Sequence, residues 1–477
     1  MNDIPNLNKP GTSLVRRLTA WLLSRRIMRR VLLGVAVLIT LVAGIYARVN
    51  MYGQSEWEKT KRALTAKGEV LDWSAYAPSA VADDQNIFKA PKMAEWFGDE
   101  RGLISAPFEQ RITNAFAGRL YKTLPTTEIK TPEEAARYLA SSDQFQQDFE
   151  TIAEALKRPY ARLVTDYSHP LFITFPNLAT LHAVVKTLVL RAKCHLLVGQ
   201  ADKAWQELSF LHEFHRMVDC QGKFITTEGA WMRRELARHS LLVIAKGLEL
   251  HAWQKPQLAV LQQQLQESDF IALFADALRC GRALAASSME LGPGEEGNVY
   301  REAFMAGGNN FWARTKHHPE FLLIRLAPRG AMYERATATS EGFQIMLNAL
   351  SPSDGVFRPA ELDKAFKKWK RAQAGLPTLL QVQSQVNAGQ IACALECARL
   401  ANGAYPETLD ALTPQFMAKL PRDLINGQPF TYRRLDAEHF LLYSVGWNGT
   451  DDGGKAPTGP ATPESVTAGD WVWGDGM

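Results

Sequence analysis

Three places in the sequence gather side chains able to do chemistry. The first is His212-Glu213-Phe214-His215, where two imidazoles and a carboxylate invite a zinc reading. A metalloprotease helix sets its two histidines four residues apart so that both face one metal. Here they stand three apart with no third ligand evident, so structural histidines are the expectation. The second is His317-His318 before Pro319, a pair expected in a loop. The third is VGWNGTDDGG at 445–454, dense in glycine, carboxamide and carboxylate and followed by DWVW at 470–473. Calcium takes six to eight hard oxygens at about 2.3 to 2.6 Å, and a glycine-rich loop can turn carbonyls and aspartates inward to meet it. An EF-hand counted from Asn448 is excluded, because Gly459 stands where a bidentate glutamate is required. The alternative without metal is a solvated pair of Asn-Gly and Asp-Gly turns at a strand end. No Walker loop, dinucleotide fingerprint or serine-hydrolase elbow is present.

The elements that must position these groups are almost all helical from 48 to 376. Thr131 followed by Pro132 and Glu134 predicts a capping box and a helix start. Asn177 predicts another, carrying Leu178, Leu181, Val184, Val185, Leu188 and Ala192 on one face. Gly199 ends it, and Ala204, Leu208, Leu211 and Val218 continue in a second helix, so the two form an antiparallel hairpin. The turn LLVGQADKAWQEL resembles that of a tetratricopeptide repeat. Arg233, one repeat length on from Gly199, has no matching pattern, which leaves one such hairpin in an irregular bundle. Further helices are predicted over 228–253, 256–267, 269–290 and 331–350, and after Pro359, with loops and short helices between 292 and 330.

Cys194, Cys220, Cys280, Cys393 and Cys397 are odd in number and widely spaced, so no dense disulfide framework is expected. Cys393 and Cys397 lie at helical spacing and read as small core residues. Trp205, Trp231, Trp253 and Trp369 also read as core. Trp447, beside the tail loop, is expected to be exposed and available to a partner or glycan.

The chain has 477 residues, enough for two or three cores, and a formal charge of +4. Seven basic residues against Asp3 put +6 in the first thirty positions, leaving the remainder at −2. A near-neutral body lacks the clustered basic surface that nucleic acid requires, so no nucleic-acid partner is expected. The basic stretch leads into VLLGVAVLITLVAGIYA at 31–47, without a charge. Seventeen helical residues cover about 26 Å, and snorkelling by Arg30 and Arg48 extends this toward a bilayer core of about 30 Å. Arginines crowd the N-terminal side, so the positive-inside rule places that side in the cytoplasm. A cleaved signal peptide ending near IYA and a twin-arginine signal at SRRIMRR are the weaker alternatives. Leu14, Leu18, Trp21 and Leu22 form an apolar stripe among arginines, suited to lipid at the inner membrane surface.

From Pro377 a helix is expected to about Ala401, ended by Asn402-Gly403, then a short helix in YPETLDAL, a hairpin from PFTYRR and FLLYSV, and a third strand at WVW. In this segment Gly403, Tyr405, Pro406, Leu409, Leu412, Leu420, Pro421, Asp423, Gly427, Pro429, Tyr432, Tyr443, Ser444, Gly446, Gly453, Gly454, Asp470 and Trp473 follow an order that resembles the C-terminal half of the type II secretion major pseudopilin. The resemblance covers about 100 of the 477 residues, the size of one small domain. It implies calcium in the last loop, with a carbonyl from Val445, Asn448 where an aspartate is usual, and carboxylates from Asp451, Asp452 and Asp470. Leu424 replaces the usual proline, and Asn448 removes one negative charge. A pilin processing site is lacking, since Ile39 stands where a glutamate is required after Gly34. The helix before the module carries Gln381, Gln383, Gln385 and Asn387 and is too polar to cross a bilayer. GEVLDW, DDQNIFKAP and QADKAW also give the whole chain a likeness to single-anchor bacterial envelope proteins.

The expected architecture is therefore mainly α: a cytoplasmic tail (1–30), a transmembrane signal anchor (31–47), an extracytoplasmic helical domain (48–376) and a pseudopilin-like α+β module (377–477). The expected role is interaction or scaffolding with another envelope protein. A periplasmic enzyme using His212 or His317, and an accessory subunit of a secretion or pilus-like system, are the alternatives.

Overall fold

The computed structural model describes residues 25–98, 115–124, 129–163, 167, 177–218, 226–290, 327–368, 370–456 and 463–474. His317, His318, Cys220, Trp369, Gly459, Leu14, Leu18, Trp21 and Leu22 lie outside them. So does most of the 292–330 region. The chain divides into two units, one drawn from Met1–Gly68 and Leu291–Thr339, the other from Glu69–Glu290 and Ser340–Met477.

In the first unit α1 (Arg25–Ala66) is a single helix of 42 residues, about 63 Å long. Its apolar stretch is long enough to cross a membrane, and among the described residues nothing buries it. Leu33 is 70% exposed and Ile39 62%, values that water disfavours and lipid does not. Beyond Tyr46 the helix changes character: Gly53, Trp57 and Leu64 turn one face inward, and Glu56–Lys59 and Glu58–Lys61 pair along the other. Gly53 crosses the first turn of the helix Arg329–Ala349 at backbone contact. A Cβ at Gly53 would stand 2.2 Å from the Gly330 carbonyl oxygen, so only glycine fits. Asn50 Oδ1 accepts from Gly330 N at 2.7 Å and fixes the crossing.

The second unit opens with 3-10 turns, among them Trp73–Ala75 and Ile87–Lys89, and then α2 (Met93–Phe97), α3 (Ala115–Thr123), α4 (Pro132–Ser142) and α5 (Gln146–Leu156). The capping box forms as the sequence predicts: Glu134 N donates to Thr131 Oγ1 at 3.2 Å, and Thr131 N returns a bond to Glu134 Oε2 at 3.2 Å. Asn177 caps α6 (Leu178–Leu197) by accepting from Thr180 N at 2.9 Å. The chain reverses at Gly199, with φ of 71°, into α7 (Ala201–Phe214), and fully buried Ala204 lets the two helices close on each other. Then come α8 (Thr227–Glu249), α9 (Lys255–Gln266), α10 (Phe270–Glu290), α11 (Arg329–Ala349), whose residues up to Thr339 belong to the first unit, and α12 (Pro359–Phe366), each within a few residues of expectation.

The central helix is α13 (Lys370–Asn402), which packs against α8, α9 and α10. It begins ahead of Pro377, so the proposed boundary at 377 falls inside a helix, with Pro377 as its eighth residue. Gly403, with φ of 81°, ends it. YPETLDAL forms only the 3-10 turn Leu409–Leu412 instead of a short α-helix. Pro414 accounts for this, because it disfavours helical backbone at Thr413, which is extended. The strands β1 (Thr431–Arg434), β2 (Phe440–Ser444) and β3 (Trp471–Val472) form an antiparallel sheet in the order β1-β2-β3. Thr431 pairs with Tyr443, and Ser444 with Trp471, while α14 (Pro463–Val466) precedes β3. Leu442, Tyr405 and Leu412 bury against Ile391 and Leu395 of α13, so one helix carries both the helical core and the sheet.

Candidate functional site

The tail loop hangs between β2 and β3, where its glycines let it turn. Gly446 has φ of 69°, and a Cβ there would stand 2.3 Å from the Gly469 carbonyl oxygen. Asp470 is fully buried and accepts from Gly454 N at 2.7 Å and Asp452 N at 3.1 Å. Asp451 Oδ1 accepts from Tyr443 Oη and Gly453 N, both at 2.9 Å. Asp452 Oδ2 accepts from Asn448 Nδ2 at 3.0 Å, and Asn448 Oδ1 accepts from Thr450 N at 3.0 Å. Val445 donates its N–H to Asp423 Oδ2 at 3.0 Å. Burial pushes the Asp470 carboxyl up; the two N–H bonds oppose this, and the charges of Asp451 and Asp452 push it further up. The structure thus brings the three carboxylates into mutual electrostatic reach, each holding the loop through its own hydrogen bonds. Among the described residues no group of three or more His, Cys, Asp and Glu is gathered closely enough to hold a metal. Trp447 corrects its expectation: it is 8% exposed and belongs to the main core, because the indole folds inward while the polar neighbours face water.

Asp423, named in the sequence only as part of a motif, is a structural hinge of the same loop. It is 2% exposed and accepts from Ile425 N at 2.8 Å as well as from Val445 N, tying the turn before β1 to the end of β2.

A second arrangement lies where the sheet meets the helices. Glu396 of α13 is buried and accepts from Tyr405 Oη at 2.7 Å, Arg399 Nη2 at 2.6 Å and His251 Nδ1 at 3.1 Å. Burial pushes its carboxyl up, but the Arg399 and Tyr405 hydrogen bonds outweigh this and hold it below the ordinary glutamate value. Beside this network a cleft of about 660 Å³ opens between α6, α8 and the tail module. Lys130, Lys193, Lys246, Glu249, Glu438 and His439 line it, Lys246 pairing with Glu249 at 2.7 Å, with Phe440 and Trp473 as apolar wall. Sequence reasoning missed this cleft because its walls come from six separate segments and none carries a local motif.

His212 and His215 sit at the end of α7 with ring centroids 5.2 Å apart, and His215 Nδ1 bonds the His212 carbonyl. Burial, followed by the Arg233 charge, lowers the His215 pKa to about 3. They line a cavity of only about 90 Å³ together with leucines. Cys393 and Cys397 are free and buried. No protein-family model, curated protein or solved structure matches this chain.

Proposed function

We propose that the chain is a single-pass envelope protein, anchored by α1 in the bacterial inner membrane with its arginine-rich N-terminal side cytoplasmic, whose body binds another envelope protein. The uncovered apolar stretch of α1 carries this reading: an 18-residue window with 0% of its surface buried has only lipid to satisfy it. The positive-inside bias favours the orientation. The cleft beside the sheet supports a binding role, since lysines, acidic residues and an apolar wall line it together. In-cell photocrosslinking from a probe at Glu438 is expected to trap a discrete envelope protein, whereas a probe at exposed Lys59 is not. Equal labelling from both positions, or cytosolic products only, would reject the reading.

Calcium in the tail loop is a second reading. It is supported by the repulsion that Asp451 and Asp452 exert on Asp470, which a divalent cation would relieve. On the pseudopilin resemblance, Val445, Asn448, Asp451, Asp452 and Asp470 are the proposed ligand set.

A further inference from the structure

A partly open cavity of about 210 Å³ lies among α3, α4, α6 and α8, and one of its wall residues has unmet hydrogen-bonding capacity. His239 is 7% exposed, and among the described residues neither ring nitrogen has a partner. Its polar neighbours are already engaged: Tyr121 Oη bonds His182 Nδ1 at 3.2 Å, and Thr187 Oγ1 donates to the Ala183 carbonyl at 2.8 Å. A buried imidazole without partners is costly, so an occupant that satisfies it gains correspondingly.

We propose that this chamber binds a small organic monocarboxylate with an apolar ring or short chain. The ring of His239 stays uncharged, because burial and then the Arg238 charge lower its pKa to about 3, so it offers one N–H and one lone pair. Lys186 and Lys193 add positive charge to the wall, which selects an anionic acceptor for that N–H. Leu120, Leu124 and Leu242 supply the apolar remainder. The size fits: an apolar cavity of about 150 Å³ accepts benzene, and this one leaves room for a carboxylate besides. Leu190, Lys193 and Leu242 also line the large cleft, so the chamber adjoins an opening through which a ligand enters.

The test is a fluorine NMR titration of the full chain in lipid nanodiscs with para-fluorobenzoate as probe. The wild type is expected to show saturable broadening that benzoate displaces and benzyl alcohol displaces poorly. His239→Leu should weaken binding by about tenfold or more, as loss of a charge-assisted hydrogen bond implies. His239→Gln, which keeps a donor and an acceptor, should stay within a few fold and guards against a folding artefact. Absence of saturable binding by the wild type would mean that water alone satisfies His239, and equal affinity in His239→Leu would mean that the imidazole is not the contact. Either result overturns the proposal.

Discussion

At Asp470 burial and two neighbouring carboxylates act against two backbone N–H bonds. The folded-state pKa is raised, so the folded chain binds the proton more tightly than the unfolded one. Stability is therefore greatest below the ordinary carboxylate range and falls as pH rises through the raised value. Asp470→Asn removes the charge at neutral pH while leaving an oxygen for Gly454 N. Without divalent cations the variant is expected to melt at or above the wild type; with calcium only the wild type should gain. Calorimetry of the full chain in calcium and in chelator reads both, and coincident wild-type midpoints would remove the metal. Legibility at this scale follows sequence separation. The Asn177 cap and the Thr131 box were readable because each partner lies three residues away. Glu396 was not, since His251 is 145 residues distant, and neither was the inward fold of Trp447.

Among the elements, α13 bears the most varied duties. Its glutamines, which in sequence made the segment too polar to cross a bilayer, are buried fasteners. Gln383 accepts from Phe270 N at 2.7 Å, and Gln385 Nε2 donates to the Val472 carbonyl at 3.0 Å. Gly389 makes room for the Trp473 ring, which would stand 3.0 Å from an added Cβ. Gln385→Leu leaves a strand carbonyl unpaired and is expected to cost about 1 to 3 kcal/mol. A Gln263→Leu control on the exposed face of α9 should stay within about 0.5 kcal/mol. Urea titration followed by tryptophan fluorescence separates them, and equal midpoints would show that the glutamine holds nothing. Helix periodicity foretold α6 to α10 and the hairpin β1–β2, where spacing within one segment carries the signal. The start of α13 escaped because a proline ordinarily marks a helix start or break, whereas Pro377 is the eighth residue of this helix.

For the molecule as a whole, the uncharged run at 31–47 was the plainest feature of the sequence, and α1 is the result. Its continuation to Ala66 was less plain, because the charges after Arg48 read as a new segment although Glu56–Lys59 suits an unbroken helix. The grouping of 291–339 with the N-terminal portion had no sequence signal, since the Asn50–Gly330 bond spans 280 residues. Placing arginine at both Leu38 and Val42 should cost about 2.5 to 3.5 kcal/mol each at mid-bilayer and move the protein out of carbonate-washed membranes. Retention there at wild-type level would show that something other than α1 tethers it.

The pairing of Gln385 with Val472 across 87 residues also imposes an order on synthesis. After α13 has left the ribosome, the Gln385 side chain must stay hydrated until β3 has been made and can dock. A nascent chain stalled in that interval presents a half-wetted groove, a natural handle for chaperones and for the proteases that clear unfinished polypeptides.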